Sequence, residues 1–332
     1  MASIVLRSEI ITEILSRLPV KPLLRFKSVS KSWYFLIKSP NFIKLHQTLI
    51  SDNHRIIIAH NTLSSADTAT FTLTFSELDH PLKPINKEDT LNYGVVSISN
   101  ATKSCVYFYN PSTRTSHCVP PSHVMYPDDY VVFGFGLKDD SWKWVSDMPF
   151  MLVYKDNHGV FVDKGFHFIV VKDEFEAMFK FIARFDVGKE EFSLMELPCY
   201  EDEFGVSKLV LRELGGFLCV MVNYRSGFSA DLWVMEEYGK NESWVRVLSL
   251  EVWPRFSEVR PVSYSNDGKR VLLLIDNCEL QWCDFKVGDE RVKVVRSCAL
   301  LDEPFDAGVY VESVVSLDDW KSDFRGKQNK NK

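Results

Sequence analysis

Catalysis or metal binding needs histidines, cysteines or carboxylates at particular spacings, and this chain offers few. Its eight histidines are dispersed and none stands in His-x-x-x-His spacing. His117, His123 and His158 read as strand or turn residues rather than ligands. Cys278 and Cys283 are spaced C-x4-C, but no second Cys/His pair follows at zinc spacing, so no metal is expected. Most of the seven cysteines lie in apolar runs such as Leu218-Cys219-Val220, the pattern of buried free thiols in a reducing compartment. Asp139-Asp140 and Asp318-Asp319 are adjacent pairs, which point to opposite faces of a strand and suit turns better than an acid/base dyad. Gly134-Phe135-Gly136 is too short for a dinucleotide fingerprint, and the chain has neither a Gly-x-Ser-x-Gly elbow nor a phosphate loop. The expectation is a non-catalytic protein without cofactor. Recognition remains, and Tyr126, Tyr130 and Trp253 are the aromatic candidates for a binding rim.

The first fifty residues read as helices. Ser8 is placed to cap a helix, with Glu9 favoured in its first turn. Ile10, Ile11, Ile14, Leu15 and Leu18 then form one apolar stripe, which Pro19 stops. A second short helix starts near Pro22 and carries Leu23, Leu24 and Phe26. A third starts near Ser30, with Val29, Trp33, Leu36 and Ile37. After Ser39-Pro40, residues Phe42, Ile43 and Leu45 form a last apolar turn. Three or four short helices carry more large apolar side chains than so small a bundle can cover. The surplus must pack on the rest of the chain or on a partner.

From Arg55 the pattern changes to short runs rich in Val, Ile, Phe, Tyr and Trp, broken by Gly, Asn, Asp and Pro. Arg55–His60, Phe71–Leu78, Ser104–Asn110, Val131–Leu137, Phe181–Val187, Phe217–Arg225, Asp231–Tyr238, Arg270–Asp276 and Glu279–Phe285 read as strands. Asn266-Asp267-Gly268 is a hairpin signal. An aromatic strand, a polar turn and a second apolar strand recur together, with a mean period of about 42 residues. That is the period of a β-propeller, here of about six blades. The second strands at Val119 and Trp144 are only 25 residues apart, so one blade is expected to be short, with two strands. A late strand over Gly308–Ser316 is expected to pair with the first blade and close the ring. An irregular β-sandwich is the alternative fold.

The run Glu9-Ile10-Ile11-Thr12-Glu13-Ile14-Leu15-Ser16-Arg17-Leu18-Pro19-Val20-Lys21-Pro22-Leu23-Leu24-Arg25-Phe26, continuing to Trp33 and through Leu36–His46, resembles a plant F-box. The resemblance implies docking on a Skp-type adaptor and, through it, on a cullin. Leu6, Ile10, Ile14, Leu18, Pro19, Leu23, Leu24, Val29 and Trp33 fall on the motif positions that form the small core or touch the adaptor. Leu6-Arg7 stands where the family usually has Leu-Pro, a departure expected to weaken the contact. In the body, Asn110-Pro111-Ser112-Thr113-Arg114, the stretch Asp231–Gly239 and the stretch Pro261–Lys269 resemble the plant F-box-associated interaction domain. That likeness implies capture of a protein substrate for ubiquitination and proteasomal degradation, with no catalysis by the chain itself. The division implied is an F-box over 1–48, a linker and first strand over 49–70, an F-box-associated β domain over 71–316, and a polar basic tail over 317–332, expected to be disordered. The alternatives from other classes are a small-molecule or glycan-binding module with a vestigial F-box, and a propeller hydrolase.

Charge is divided along the chain. Residues 1–50 carry eight Lys/Arg against two Asp/Glu, and residues 321–332 carry five against one. The 270 residues between carry 26 against 42, a balance of −16, which argues against nucleic acid as the main ligand and suggests a basic partner. No apolar run approaches the length of a membrane span, and Met1–Arg7 lacks the charged and apolar regions of a secretory signal. The expected location is cytoplasm, nucleus or both.

Overall fold

The computed structural model describes residues 7–49, 54–62, 70–76, 96–100, 105–119, 131–136, 141–154, 159–172, 179–200, 205–226, 228–254, 256–265, 267–285, 292–295 and 305–317. Four helices come first: α1 (Ser8–Ser16), α2 (Val20–Phe26), α3 (Lys31–Lys38) and α4 (Pro40–Leu49). Ser8 is the first residue of α1 rather than its cap; the cap position falls on Arg7, which makes no side-chain cap bond. Pro19 caps α2 instead of ending α1, because a proline lacks only an N–H that a helix start leaves unpaired anyway. Ser30 caps α3, its Oγ accepting the Trp33 N–H at 3.2 Å. The last apolar turn is a full ten-residue helix, α4, beginning on Pro40.

The body follows as strands, sheet by sheet in chain order. First come β1 (His54–Thr62) and β2 (Thr70–Ser76), then β3 (Val96–Asn100), β4 (Cys105–Asn110) and β5 (Thr115–Val119). Two strands, β6 (Val131–Gly136) and β7 (Ser141–Asp147), form a sheet alone among the described residues. The next sheet holds β8 (Met151–Leu152), β9 (Val160–Val162), β10 (Gly165–Val171), β11 (Phe181–Asp186) and β12 (Glu191–Glu196). Another holds β13 (Val206–Leu214), β14 (Phe217–Tyr224), β15 (Ser229–Met235) and β16 (Trp244–Trp253). The sixth holds β17 (Val259–Tyr264), β18 (Arg270–Ile275) and β19 (Glu279–Asp284). After β20 (Val292–Val295), β21 (Phe305–Val311) returns to β1 and pairs with it antiparallel, from His54 opposite Val311 to His60 opposite Phe305. Among the described residues there are six sheets, one of two strands, as the repeat spacing predicts. The late closing strand is also present, at Phe305–Val311 rather than Gly308–Ser316, because the chain leaves the sheet at Glu312 to meet the helices.

One pairing differs from expectation. The run over β20 reads as the hairpin partner of β19, yet it lies parallel to β16, with Leu250 opposite Val292 and Val252 opposite Val294. That register drops Val292 and Val294 into the core between the two neighbouring sheets.

Alternation along the strands explains why the sheets stack around a ring. On β14, Leu218, Val220 and Val222 pack toward β9–β12, whereas Cys219 and Met221 pack toward β17–β19. Successive side chains point to opposite faces, so a strand apolar at every position is buried on both. Ile56 on β1 and Leu272 on β18 continue the series, joining the last sheet to the first. β9 touches β13, β13 touches β17, and β17 touches β21, so these strands are the innermost of their sheets. The sandwich alternative has no place for this succession.

Head and body meet through the segment after β21, residues 312–317, called the strap below. Leu15, Val20, Leu23, Ile37 and Phe42 form the buried core of the helices, and Val314 of the strap completes it at 2% exposure. Lys27 Nζ donates to the Val314 carbonyl at 3.2 Å. The turn after β4 holds the strap from the other side: Asn110 Nδ2 donates to the carbonyls of Val315 at 2.7 Å and Ser313 at 3.3 Å. Leu317, placed by the sequence at the start of a polar tail, is buried and donates its N–H to Thr115 Oγ1 at 3.0 Å.

Candidate functional site

With the head core already filled, the remaining large apolar side chains of the helices face solvent. Ile10 and Ile14 on α1, Val29 before α3, Tyr34 and Phe35 on α3, and Leu45 and Leu49 on α4 are all exposed, Val29 by 59% and Phe35 by 68%. This is the surplus the sequence predicts. The residues selected from the sequence divide cleanly. Ile10, Ile14, Pro19 and Val29 are exposed; Leu18, Leu24 and Trp33 are partly buried against the core; Leu23 is wholly inside it. Leu6 lies outside the described residues. Tyr34, Phe35 and Leu49 were not selected, although Trp33-Tyr34-Phe35-Leu36-Ile37 is apolar on every side of α3 and a helix can turn only one side inward. Lys38 Nζ donates to Tyr34 Oη at 2.8 Å and lies over its ring, giving this face a basic edge.

A second surface lies at the other end of the body. β21 starts where Phe305 N–H donates to Asn277 O at 2.6 Å, and it ends at the strap that meets the helices. Seven residues of strand, about 20 Å, therefore separate the head from the loops at the start of β21 and β17. Trp253 stands at this far rim, 49% exposed and stacked on Phe228 with ring centroids 4.3 Å apart. Its Nε1 donates to Glu251 Oε1 at 2.9 Å, which fixes the ring. Tyr126 and Tyr130 lie outside the described residues, so of the three aromatic candidates Trp253 alone is seen at the rim.

Comparison with known families covers both the head and the body. Residues 8–45 match the F-box domain, and residues 92–317 match the F-box associated beta propeller domain. The chain belongs to the F-box proteins that carry an F-box-associated propeller. F-box protein CPR1 of Arabidopsis thaliana is 28% identical over 92% of this chain and 88% of its own length. F-box/kelch-repeat protein At3g23880 of the same plant is 25% identical over 94% and 95%. Among solved structures, Hsv2p of Kluyveromyces lactis overlaps 65% of each chain at a TM-score of 0.34 and 14% identity, too loose a likeness to carry an argument about the fold.

Inside the propeller, His167 and Tyr238 form a partly buried structural pair. His167 is wholly buried, with Nδ1 3.1 Å from Val160 O and Nε2 2.7 Å from Tyr238 Oη. A carbonyl only accepts, so Nδ1 carries the proton and Nε2 accepts from the tyrosine. Burial pushes the His167 pKa down to about 4 and that of Tyr238 up to about 12, so both are neutral and pin β10 to the turn after β15. In the F-box, burial likewise lowers the pKa of His46, whose Nε2 donates to Leu18 O at 2.8 Å. Cys219 and Cys283 are buried as expected, but Cys199, in the segment after β12, is exposed. Among the described residues no group of His, Cys, Asp and Glu is arranged to hold a metal, and no helix is long and apolar enough to cross a membrane.

Proposed function

We propose that this F-box protein is the substrate-recognition subunit of a Skp–cullin–F-box ubiquitin ligase, delivering a captured protein for ubiquitination and proteasomal degradation. The exposed apolar face of the head carries the reading. A four-helix unit with a complete core does not leave Ile14, Val29 and Phe35 in water unless a partner covers them. The adaptor takes this face, and the substrate is met by the propeller rim that points away from it. Proximity is then the whole contribution of the chain, and the bond-making groups belong to other subunits.

The separation of core from face supplies the test. Val29→Asp with Phe35→Asp puts charge on the exposed face only, so thermal unfolding stays unchanged while adaptor capture weakens by at least about tenfold. Leu23→Asp, at a wholly buried site, removes capture by unfolding the head. Unaltered co-elution of the Val29/Phe35 variant with a Skp-type adaptor would overturn the assignment of this face.

A further inference from the structure

The far rim carries an aromatic surface that neither a sheet core nor the adaptor face requires. Trp253 ends β16 half in water, while its neighbour Val252 is the residue that enters the core. Its ring centroid is 4.3 Å from that of Phe228 and the two planes differ by only 28°, a stack that covers one face of the indole. The Nε1 edge is taken by Glu251 Oε1 at 2.9 Å. What remains open to solvent is therefore the second face. That face is held still. Phe228 sits on the turn between β14 and β15, where its carbonyl accepts the Val252 N–H at 2.7 Å and its own N–H donates to Ser226 Oγ at 3.5 Å. Turn, stack and carboxylate together fix the indole, so a ligand meets it without first having to order it.

The charge around this face is negative and unspent. An aromatic face carries the negative side of the ring quadrupole and attracts a cation within about 6 Å of the centroid. Elsewhere the chain meets that attraction itself, with Arg270 over Trp282 at 5.5 Å and Lys208 over Tyr154 at 5.9 Å. Among the described residues no cation lies over Trp253. Glu251 adds a full charge at the edge of the ring. One of its oxygens holds the indole N–H, and the other has no partner among the described residues. Lys293 stands opposite Glu251 in the register of β16 with β20, yet among the described residues no ion pair joins them. Arg225, which opens the turn that carries Phe228, is engaged by Val206 O, to which its Nε donates at 3.2 Å.

We propose that Trp253 and Glu251 form a subsite for one arginine side chain, borne by an extended basic segment of the captured protein. A guanidinium is flat, so it stacks on the open indole face while its N–H edge reaches past Nε1 to the second Glu251 oxygen. An ammonium is compact and strongly hydrated, and meets the ring or the carboxylate but not both in one plane. The body balance of −16 draws a basic segment toward this rim. The identity of the bearer rests on the proposed function; the cation subsite does not.

The test uses the full chain with its co-purified adaptor, labelled with 5-fluorotryptophan. The fluorine resonance of residue 253 is the one missing from Trp253→Phe. The probe is the acetylated and amidated peptide Gly-Gly-Arg-Gly-Gly, compared at constant ionic strength with peptides carrying lysine or citrulline in place of the arginine. The expected result is a saturable shift of that resonance with the arginine peptide, about fivefold weaker binding with lysine, and no shift with citrulline, which keeps the shape and loses the charge. Glu251→Gln keeps an acceptor for Nε1 and removes the carboxylate charge, so affinity falls about fivefold at an unchanged unfolding temperature. Equal binding of the citrulline or lysine peptide, equal affinity in Glu251→Gln, or no saturable shift at residue 253 overturns the proposal. Co-elution with the adaptor is scored on the same preparation. Arginine binding without co-elution removes the ligase reading and leaves the subsite standing, whereas co-elution without the shift removes the subsite alone.

Discussion

The His167–Tyr238 pair couples stability to pH in a direction that follows from burial alone. Folded, His167 holds its proton only below about 4; unfolded, it titrates at the usual 6.5. Between those values the unfolded chain binds the extra proton, so stability is complete above pH 6.5 and drains away as pH falls toward 4. The loss from this one wholly buried ring reaches about 3 kcal/mol at the bottom of the window. His46, whose pKa is also lowered by burial, acts in the same direction on the head. Urea unfolding at pH 7 and pH 5 measures the effect, and His167→Gln is expected to shrink the difference. Tyr238→Phe leaves a buried Nε2 without its donor and costs about 1–3 kcal/mol at pH 7. An unchanged pH slope in the glutamine variant would falsify the assignment to His167.

At the level of elements, the strap decides how firmly the F-box is held on the propeller. Asn110 uses both ends of its carboxamide. Nδ2 donates to the two strap carbonyls, while Oδ1 accepts the Ser112 N–H at 2.9 Å and so shapes the turn that presents it. Ser112 Oγ accepts the Ser313 N–H at 3.1 Å, and Thr113 Oγ1 donates to Val315 O at 3.1 Å. Every member of Asn110-Ser112-Thr113 therefore satisfies an edge that has no sheet beside it. Asn110→Ala orphans buried groups and costs about 1–3 kcal/mol. The loss is expected first in the head, read as faster amide exchange in α1–α4 with β14 still protected. Equal exchange in both variants of the head, with and without Asn110, would mean the strap is not its anchor. The run Asn-Pro-Ser-Thr was visible in the sequence as a family likeness, but its task was not, because the carbonyls it serves lie 202 residues and more along the chain.

Across the whole molecule, local patterns were legible and choices among distant partners were not. The apolar stripes of the head, the strand runs, the repeat and the two-stranded sheet over Val131–Asp147 depend on neighbouring residues. The closing strand is the exception, a distant pairing legible because a last strand with no following partner leaves an edge to fill. β20 shows the difficulty: β19 precedes it in the chain, yet it pairs with β16, where Val294 is buried and Val292 packs against the same core. β13 is absent from the strand runs for a related reason. Lys208, Arg212 and Glu213 interrupt the apolar run of β13, so an innermost strand lined by charge does not look like a buried one. Ring closure puts this distinction to a direct test. A chain stopped after residue 304 loses β21, the seven pairs it makes with β1, Val309 from the core beside Ile56, and Val314 from the head. A chain stopped after Leu317 keeps all of them. If the ring is one cooperative body, the longer truncation alone lowers the unfolding temperature and exposes β1 and the helices together to exchange, because both rest on the same returning segment. Retention of protection in β1 after removal of β21 would mean that the blades stand independently and that the closing pair is not what joins the first residues of the propeller to the last.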